Sequence, residues 1–298
     1  MNDIGIIGYG FVGKSVFEGM KHAFNIRCYD KVHGLNTKIR EPLSNYPHCT
    51  RTACDKDYGY EQVLKVDGPI FLCLPTPMKS DGTCDTSILE SVLNDFSNIE
   101  GTEGQIFVIK STMTPGTTES LNEKFKQFHI CYNPEFLREA TAVEDFKNQD
   151  RIIVGGPREA TNIVKQMYET AYPDVPVTKT SSTIAELVKY TTNCFLSVKV
   201  AFANEMALLC ESLGEDYDKV IEYATKDKRL GQSHWAVPGP DGHKGFGGSC
   251  FPKDLNALMA LFEKQGVVNH VMKGAWETNL HVRPEKDWEQ LKGRAVSE

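Results

Sequence analysis

The sequence predicts an α/β protein: a doubly wound, Rossmann-like parallel sheet followed by an all-helical domain entered through one long helix. Three observations carry this expectation. Short apolar runs alternate with helical patterns over residues 1–180, as a mainly parallel sheet requires. The stretch from Ser182 to Leu213 contains no Gly or Pro and keeps helical spacing. Beyond it, the apolar residues fall only at helical intervals. The expected division is therefore a dinucleotide platform at 1–180 and a helical domain at 181–298.

The first strand, Ile4 to Ile7, runs into Gly8-Tyr9-Gly10-Phe11-Val12-Gly13, a GxGxxG. A helical pattern (Val12, Val16, Phe17, Met20) and a second strand (Ile26 to Tyr29) follow, closing on Asp30. Glycines at these positions permit a tight turn and let the backbone approach a pyrophosphate at the helix N-terminus. An acid ending the second strand accepts hydrogen bonds from a ribose diol and repels a 2′-phosphate, which favours NAD over NADP; Lys31 beside it works the other way. Lys31 to Gly68 is polar, broken by Pro42, Pro47 and Gly59, and reads as loops with a short helix; Cys49 and Cys54 there are assigned no function.

Ile70 to Leu74 is the next buried strand. It ends in Pro75-Thr76-Pro77 and Asp81-Gly82, an elaborate loop at a strand's C-terminal end, where open α/β sheets bind ligands. A helix is expected from Thr86 to Phe96, then a strand from Ile106 to Lys110 closing on Ser111-Thr112. Thr112 either offers its hydroxyl to a cofactor or caps a helix. Thr114-Pro115 opens a helix containing Leu121 and Phe125. The strand His129 to Tyr132 leads to Asn133-Pro134-Glu135-Phe136-Leu137-Arg138-Glu139. On a helical turn Glu135 and Glu139 face the same way, either as a solvated face or as part of a site. Arg151 to Val154 and Val175 to Lys179 read as strands around a helix from Arg158 to Tyr172.

The helix from Ser182 to Leu213 spans about 45–50 Å at 1.5 Å per residue, more than one small domain needs. It is expected to bridge domains and to present a face to a second copy of the chain. Lys189 and Asn193 lie four apart on one face; a lysine snorkelling at the edge of a packed stripe is the plain alternative to a site role. A shorter helix, Asp216 to Thr225, precedes a long Gly/Pro-rich loop from Lys228-Arg229 that reads as an active-site loop. Helical patterns at Pro252 to Lys264 and Asn269 to Leu280 follow, and the polar tail after Pro284 reads as surface.

That loop ends in Gly245-Phe246-Gly247-Gly248-Ser249-Cys250-Phe251-Pro252-Lys253-Asp254. Glycines strip side chains from the approach to a cysteine. An ammonium near a thiol favours the thiolate, and a carboxylate beside it moves protons. Pro252 suits the first turn of a helix, placing Cys250 near its N-terminus. A Gly-rich turn with a buried cysteine is the competing reading.

Composition narrows the class. The chain has 298 residues, 40% apolar and 24% charged, with a formal net charge of -7. Such a balance argues against general nucleic-acid binding, and an anionic substrate would need a local basic site. The nine cysteines are scattered without a CxxC pair and read as reduced thiols of a cytoplasmic protein. His234, His243, His270 and His281 show no paired spacing, so no metal is assigned. The N-terminus enters an apolar strand without a basic leader, so no signal peptide is expected. No apolar run approaches the ~20 residues of a membrane helix, so no membrane partner is expected.

Taken together, the N-terminal GxGxxG, the Pro-Thr-Pro…Asp-Gly loop, Lys110-Ser111-Thr112, Asn133-Pro134-Glu135-Phe136-Leu137, Lys189-Tyr190-Thr191-Thr192-Asn193, Asn204-Glu205 and Gly245 to Asp254 resemble the UDP-glucose/GDP-mannose dehydrogenase family in order and over nearly the whole chain. The resemblance implies that a nucleotide-sugar primary alcohol is oxidised twice, to the acid, with two NAD. Cys250 would then capture the aldehyde as a thiohemiacetal, and a second hydride transfer would give a thioester that water hydrolyses. Lys189 and Asp254 would handle protons and an ordered water, Asn193 would hold the reacting oxygen, and Glu135 would assist hydrolysis with Thr112 placing the water. Gly8, Gly10, Phe11, Val12, Gly13, Asp30, Thr76, Thr112, Glu139 and Lys253 would serve the cofactor. Glu135, Phe136, Leu137, Lys189, Asn193, Phe246, Gly247 and Arg229 would serve the substrate, Arg229 from the neighbouring subunit of a homodimer. The Phe246 and Pro252-Lys253-Asp254 context looks closest to the enzymes acting on UDP-glucose.

Family members carry a third, C-terminal α/β domain over the nucleotide. Here the chain stops after the helical segment, short by about one domain of 100 or more residues. This implies an incomplete nucleotide half of the site and leaves two alternatives: a subunit or binding module that takes a cap from a partner chain, or a single-hydride dehydrogenase of a smaller sugar or hydroxy acid.

Overall fold

The computed structural model describes residues 1–31 and 60–297. The loops expected between Lys31 and Gly68, with Cys49 and Cys54, fall mostly outside the described residues; a 3-10 helix occupies Tyr60–Lys65. The chain forms two compact units, residues 1–75 with 86–189 and residues 76–85 with 190–298.

In the first unit the elements run β1 (Asp3–Ile7), α1 (Phe11–Met20), β2 (Asn25–Tyr29), β3 (Ile70–Leu72), α2 (Ser87–Ser97), β4 (Ile106–Ile109), α3 (Thr117–Lys124), β5 (His129–Tyr132), α4 (Ala142–Lys147), β6 (Ile152–Gly155), α5 (Arg158–Ala171) and β7 (Val177–Thr180). Among the described residues the strands make one sheet in the order β2-β1-β3-β4-β5-β6-β7. All neighbours are parallel except β5 and β6, which meet antiparallel at Tyr132 and Gly155. The inner strands β3, β4 and β5 are buried on both faces and read as continuous apolar runs, whereas the edge strands β2 and β7 carry polar residues. Alternate side chains go to opposite cores: Ile6, Phe71, Val108 and Cys131 pack with Val16, Phe17, Phe146 and Tyr168, while Ile7, Leu72, Ile109 and Tyr132 pack with Leu89, Leu93, Phe96 and Leu121. Helices thus cover both faces, the doubly wound arrangement that the alternation of strand and helix patterns predicts. Helix α4, six residues long, had no sequence signal, because so short a polar segment shows no period.

The long helix α6 (Ser182–Leu213) forms as the Gly- and Pro-free stretch predicts, and the division between the two units falls within it. In contrast to the expectation that no segment is apolar enough, α6 is by length and composition long and apolar enough to cross a membrane, with 44% of its most apolar window buried in protein. Its buried Glu186, Lys189, Asn193 and Ser197 all have protein partners, a pattern that suits the core helix of a globular protein.

The second unit adds α7 (Tyr217–Ala224), α8 (Phe251–Lys264) and α9 (His270–Val282). Its core joins Tyr190, Cys194 and Ala201 of α6 to Phe246, Leu255, Leu258 and Ala275. The tail is a correction. Expected on the surface, it buries Trp288 against Trp276, ring centroids 5.3 Å apart. Met78 pairs with it through backbone bonds from its N–H to Ala295 O and from the Ser297 N–H to its own carbonyl, both 2.8 Å. One large aromatic and a backbone ladder outweigh a polar composition.

Candidate active site

The glycine turn sits at the C-terminal end of β1, and each glycine has its own reason. Gly8 has φ +93° and a Cβ there would lie 2.3 Å from Cys73 O; a Cβ on Gly13 would lie 1.9 Å from Gly8 O. Gly10 is the N-cap of α1, where no side chain caps the helix and the first turn holds no acid; the space beside its missing Cβ is open. Phe11 and Val12 begin the helix, half-buried. A bare helix N-terminus with an open glycine fits a pyrophosphate. Asp30 closes the turn: its Oδ2 accepts from the Tyr9 N–H at 2.6 Å. The acid therefore holds the turn as well as standing where a ribose diol would be read.

At the C-terminal ends of β4 and β5 a buried polar group assembles within the first unit. Lys189 Nζ donates to Glu135 O at 2.5 Å and to Glu135 Oε1 at 2.9 Å. The other Glu135 oxygen accepts the Leu137 N–H at 2.7 Å. Burial would raise the Glu135 carboxyl; the Lys189 ammonium, the Leu137 amide and the more distant Lys110 outweigh it and hold the group below its ordinary value. The Phe136 ring lies between two cations, 4.6 Å from the Arg151 guanidinium and 5.7 Å from Lys189. Thr112 is buried in the loop after β4. The helical turn expected to align Glu135 with Glu139 does not form. Residues 133–138 are irregular because Pro134 disfavours helix at Asn133 and Glu135 folds back onto the Leu137 amide. Glu135 is buried while Glu139 is exposed in a 3-10 turn, Glu139–Thr141, so the structure does not bring the two acids together.

In the second unit Cys250 is the N-cap residue of α8, with Pro252 in its first turn. The buried Asp254 carboxylate is shared: Oδ1 takes Lys253 Nζ at 2.5 Å and Oδ2 takes Asn193 Nδ2 at 2.6 Å. Burial pushes the Lys253 ammonium down, but the charges of Asp254, Cys250 and Cys84 around it win and raise it above its ordinary value. A permanent cation beside Cys250 follows, the condition under which a thiolate forms. Asp254, Lys253, Cys250 and Asn193 are thus brought together. Thr76 is buried in the 76–85 segment of this unit. Arg229, in the 3-10 turn Lys228–Leu230, is exposed and forks onto Asp227, Nη2 to Oδ2 at 2.5 Å; within this chain it points to Asp227 rather than to the cysteine group.

Sequence reasoning missed Asn279, Arg283 and Asp287, which hold the cysteine loop, and named Asn204 only within the family resemblance, without a role. Asn279 clamps Phe246 from both sides, accepting its N–H at 2.7 Å and donating to its carbonyl at 3.0 Å. Asn204 Oδ1 accepts the Gly245 N–H at 3.0 Å. Arg283 donates to Asp287 at 2.6 Å and to Asp241 at 2.8 Å, and Asp287 accepts the Gly248 N–H at 3.2 Å. A Cβ on Gly247 would sit 2.4 Å from the Arg283 guanidinium, so Gly247 serves close packing. The loop glycines were the local signal: Gly245 and Gly247 mark places where the Asn279 and Arg283 side chains approach the backbone.

Residues 2–172 match the NAD binding domain of the UDP-glucose/GDP-mannose dehydrogenase family, and residues 183–281 match its central domain. A UDP-glucose 6-dehydrogenase of Rickettsia bellii is 33% identical over 93% of this chain, which spans 66% of that relative's length. One of Haloferax volcanii is 31% identical over 98% of this chain and 72% of its own. Among solved structures, a UDP-glucose dehydrogenase from the archaeon Pyrobaculum islandicum superposes with a TM-score of 0.80 at 30% identity, over 99% of this chain and 71% of that one.

Proposed function

The chain belongs to the UDP-glucose/GDP-mannose dehydrogenase family, and from that premise we propose that it is an NAD-dependent nucleotide-sugar dehydrogenase, oxidising the C6 alcohol of UDP-glucose to the acid through a thioester on Cys250. The observation that carries the reading is Cys250 at the head of α8 beside a carboxylate that both Lys253 and Asn193 hold. The likeness to UDP-glucose dehydrogenases supports the choice of UDP-glucose. We assign residues 1–180 to the cofactor and 181–298 to the helical domain with the cysteine loop.

NAD, whose pyrophosphate fits the Gly8–Gly13 turn, supplies the acceptor for each hydride. In the first oxidation the Asp254 carboxylate, through an ordered water, takes the hydroxyl proton as the hydride leaves carbon, giving the aldehyde, while the Lys189 ammonium stabilises the charge developing on the oxygen. The Cys250 thiolate then adds to the carbonyl carbon, and a proton reaches the new alkoxide, giving a thiohemiacetal. Loss of that hydroxyl proton and a second hydride gives the thioester. Water adds to it, the C–S bond breaks, and the thiolate is restored with release of the acid. Asn193 carries two amide N–H groups; one is committed to Asp254 and the other serves the reacting oxygen. Glu135 and Asp254 take protons from the attacking water, which Thr112 helps to place. Thr76, Glu139 and Lys253 contact the cofactor; Phe136, Leu137, Phe246 and Gly247 shape the sugar site; Arg229 reaches the nucleotide in a neighbouring subunit.

For that subunit we propose a second copy of the chain, seated on α6, where Phe195, Phe202, Leu209 and Leu213 expose apolar surface at intervals near two helical turns. A cytoplasmic setting is supported by nine cysteines scattered without a CxxC pair. The test is Cys250→Ser. Acid formation should fall by about a thousandfold or more while NAD affinity stays; undiminished UDP-glucuronate in product analysis would remove Cys250 from the reaction.

A further inference from the structure

Lys110, at the end of β4, is buried and has no part in the reaction as proposed. Its Nζ donates to Asn133 Oδ1 at 2.8 Å, the same oxygen that accepts the Tyr168 hydroxyl at 2.6 Å. Asn133 in turn donates to Ile153 O at 2.7 Å and stands two residues before Glu135. From the elements around it Lys110 faces Cys73 after β3, Glu135 after β5, Lys189 on α6, and the Phe146 ring on α4, 5.7 Å away. The Glu135 carboxylate already holds Lys189. We propose that Lys110 is a positioning residue of the dehydrogenase: with the Tyr168 hydroxyl it pins Asn133 Oδ1, and so fixes the start of the turn that carries Glu135.

This rests on the reading of the reaction given above, in which Glu135 takes a proton from the attacking water. It adds a reason for an otherwise costly residue. Burial, with the like charge of Lys189 and against the pull of Cys73 and Glu135, lowers the Lys110 ammonium to about 8. The unfolded chain, with an ordinary lysine near ~10.4, binds more protons between those values. The lysine therefore costs stability below about pH 8, and the cost fades as the pH rises to about 10.4. A hydrophobic side chain of similar length would remove that cost. Tyr168 would still hold Asn133 Oδ1.

The experiment compares wild type, Lys110→Met and Lys110→Arg with NAD and UDP-glucose. Lys110→Met should keep NAD affinity and at pH 7 melt no lower than wild type, yet lose about tenfold or more in kcat. KM for UDP-glucose should stay within about twofold, and Lys110→Arg, which keeps a buried cation and donor, should restore most of kcat. The melting difference between wild type and Lys110→Met should shift in favour of wild type between pH 8 and 10.4. A Lys110→Met variant that melts lower at pH 7 and loses kcat in proportion, with no recovery in Lys110→Arg, would overturn the proposal in favour of a packing role. Wild type that forms no NADH from UDP-glucose at any pH would sink the reading of the reaction and the positioning role with it, whereas the melting comparison reads the buried charge by itself.

Discussion

Asn193 and Asp254 are joined by an N–H···O bond of 2.6 Å, buried and far apart in sequence. It links the middle of α6 to the first turn of α8, four residues after Cys250. The cation near the cysteine and the amide proposed to hold the reacting oxygen are therefore oriented by one carboxylate, whose second oxygen belongs to Lys253.

The clamp on the cysteine loop should behave as a positioning device. Asn279→Ala leaves the N–H and carbonyl of buried Phe246 without their partner, which costs about 1–3 kcal/mol for each unsatisfied group. The variant should melt several degrees lower and lose turnover while NAD affinity is kept. Equilibrium denaturation and NAD titration check both, and unchanged turnover would detach the clamp from catalysis.

Asp30 has two tasks, and its replacement should show both. Asp30→Ala removes the partner of the Tyr9 N–H and the charge that repels a 2′-phosphate. NAD affinity should fall about tenfold, and the preference for NAD over NADP should shrink with it. Fluorescence titrations with each cofactor decide this; equal affinity for NAD and NADP in the wild type would contradict it.

The α6 face should hold two copies together. Phe195 is 66% exposed, and a charge there should weaken association without unfolding the helix. Sedimentation should find a dimer for wild type at micromolar concentration and monomer for Phe195→Asp. Monomeric wild type would end the assignment of this face.

What could be read from the sequence followed physical reach. Helix α6 was legible to its ends because nothing in Ser182 to Leu213 interrupts a helix and Gly214 stops it with φ +73°. The turn at Gly8 was legible because strand, glycines, helix and acid lie within thirty residues. The grouping of Cys250 with Lys253 and Asp254 is local, so its chemistry could be named. Asn279, Arg283 and Asp287 reach the loop from α9 and beyond, and no local pattern announces that. Glu135 and Glu139 looked paired only by counting; Pro134 and the Leu137 amide decide otherwise. Trp288 in a polar tail is a lone signal whose destination, Trp276, only the fold supplies.

The most direct test of the central claim counts hydrides. Purified protein is incubated with limiting UDP-glucose and excess NAD, and NADH is measured against UDP-glucuronate. A four-electron oxidation through Cys250 predicts two NADH for each acid formed, with no free aldehyde accumulating. One NADH for each substrate consumed would mean a single-hydride dehydrogenase, none would mean a binding module, and either result would contradict the account.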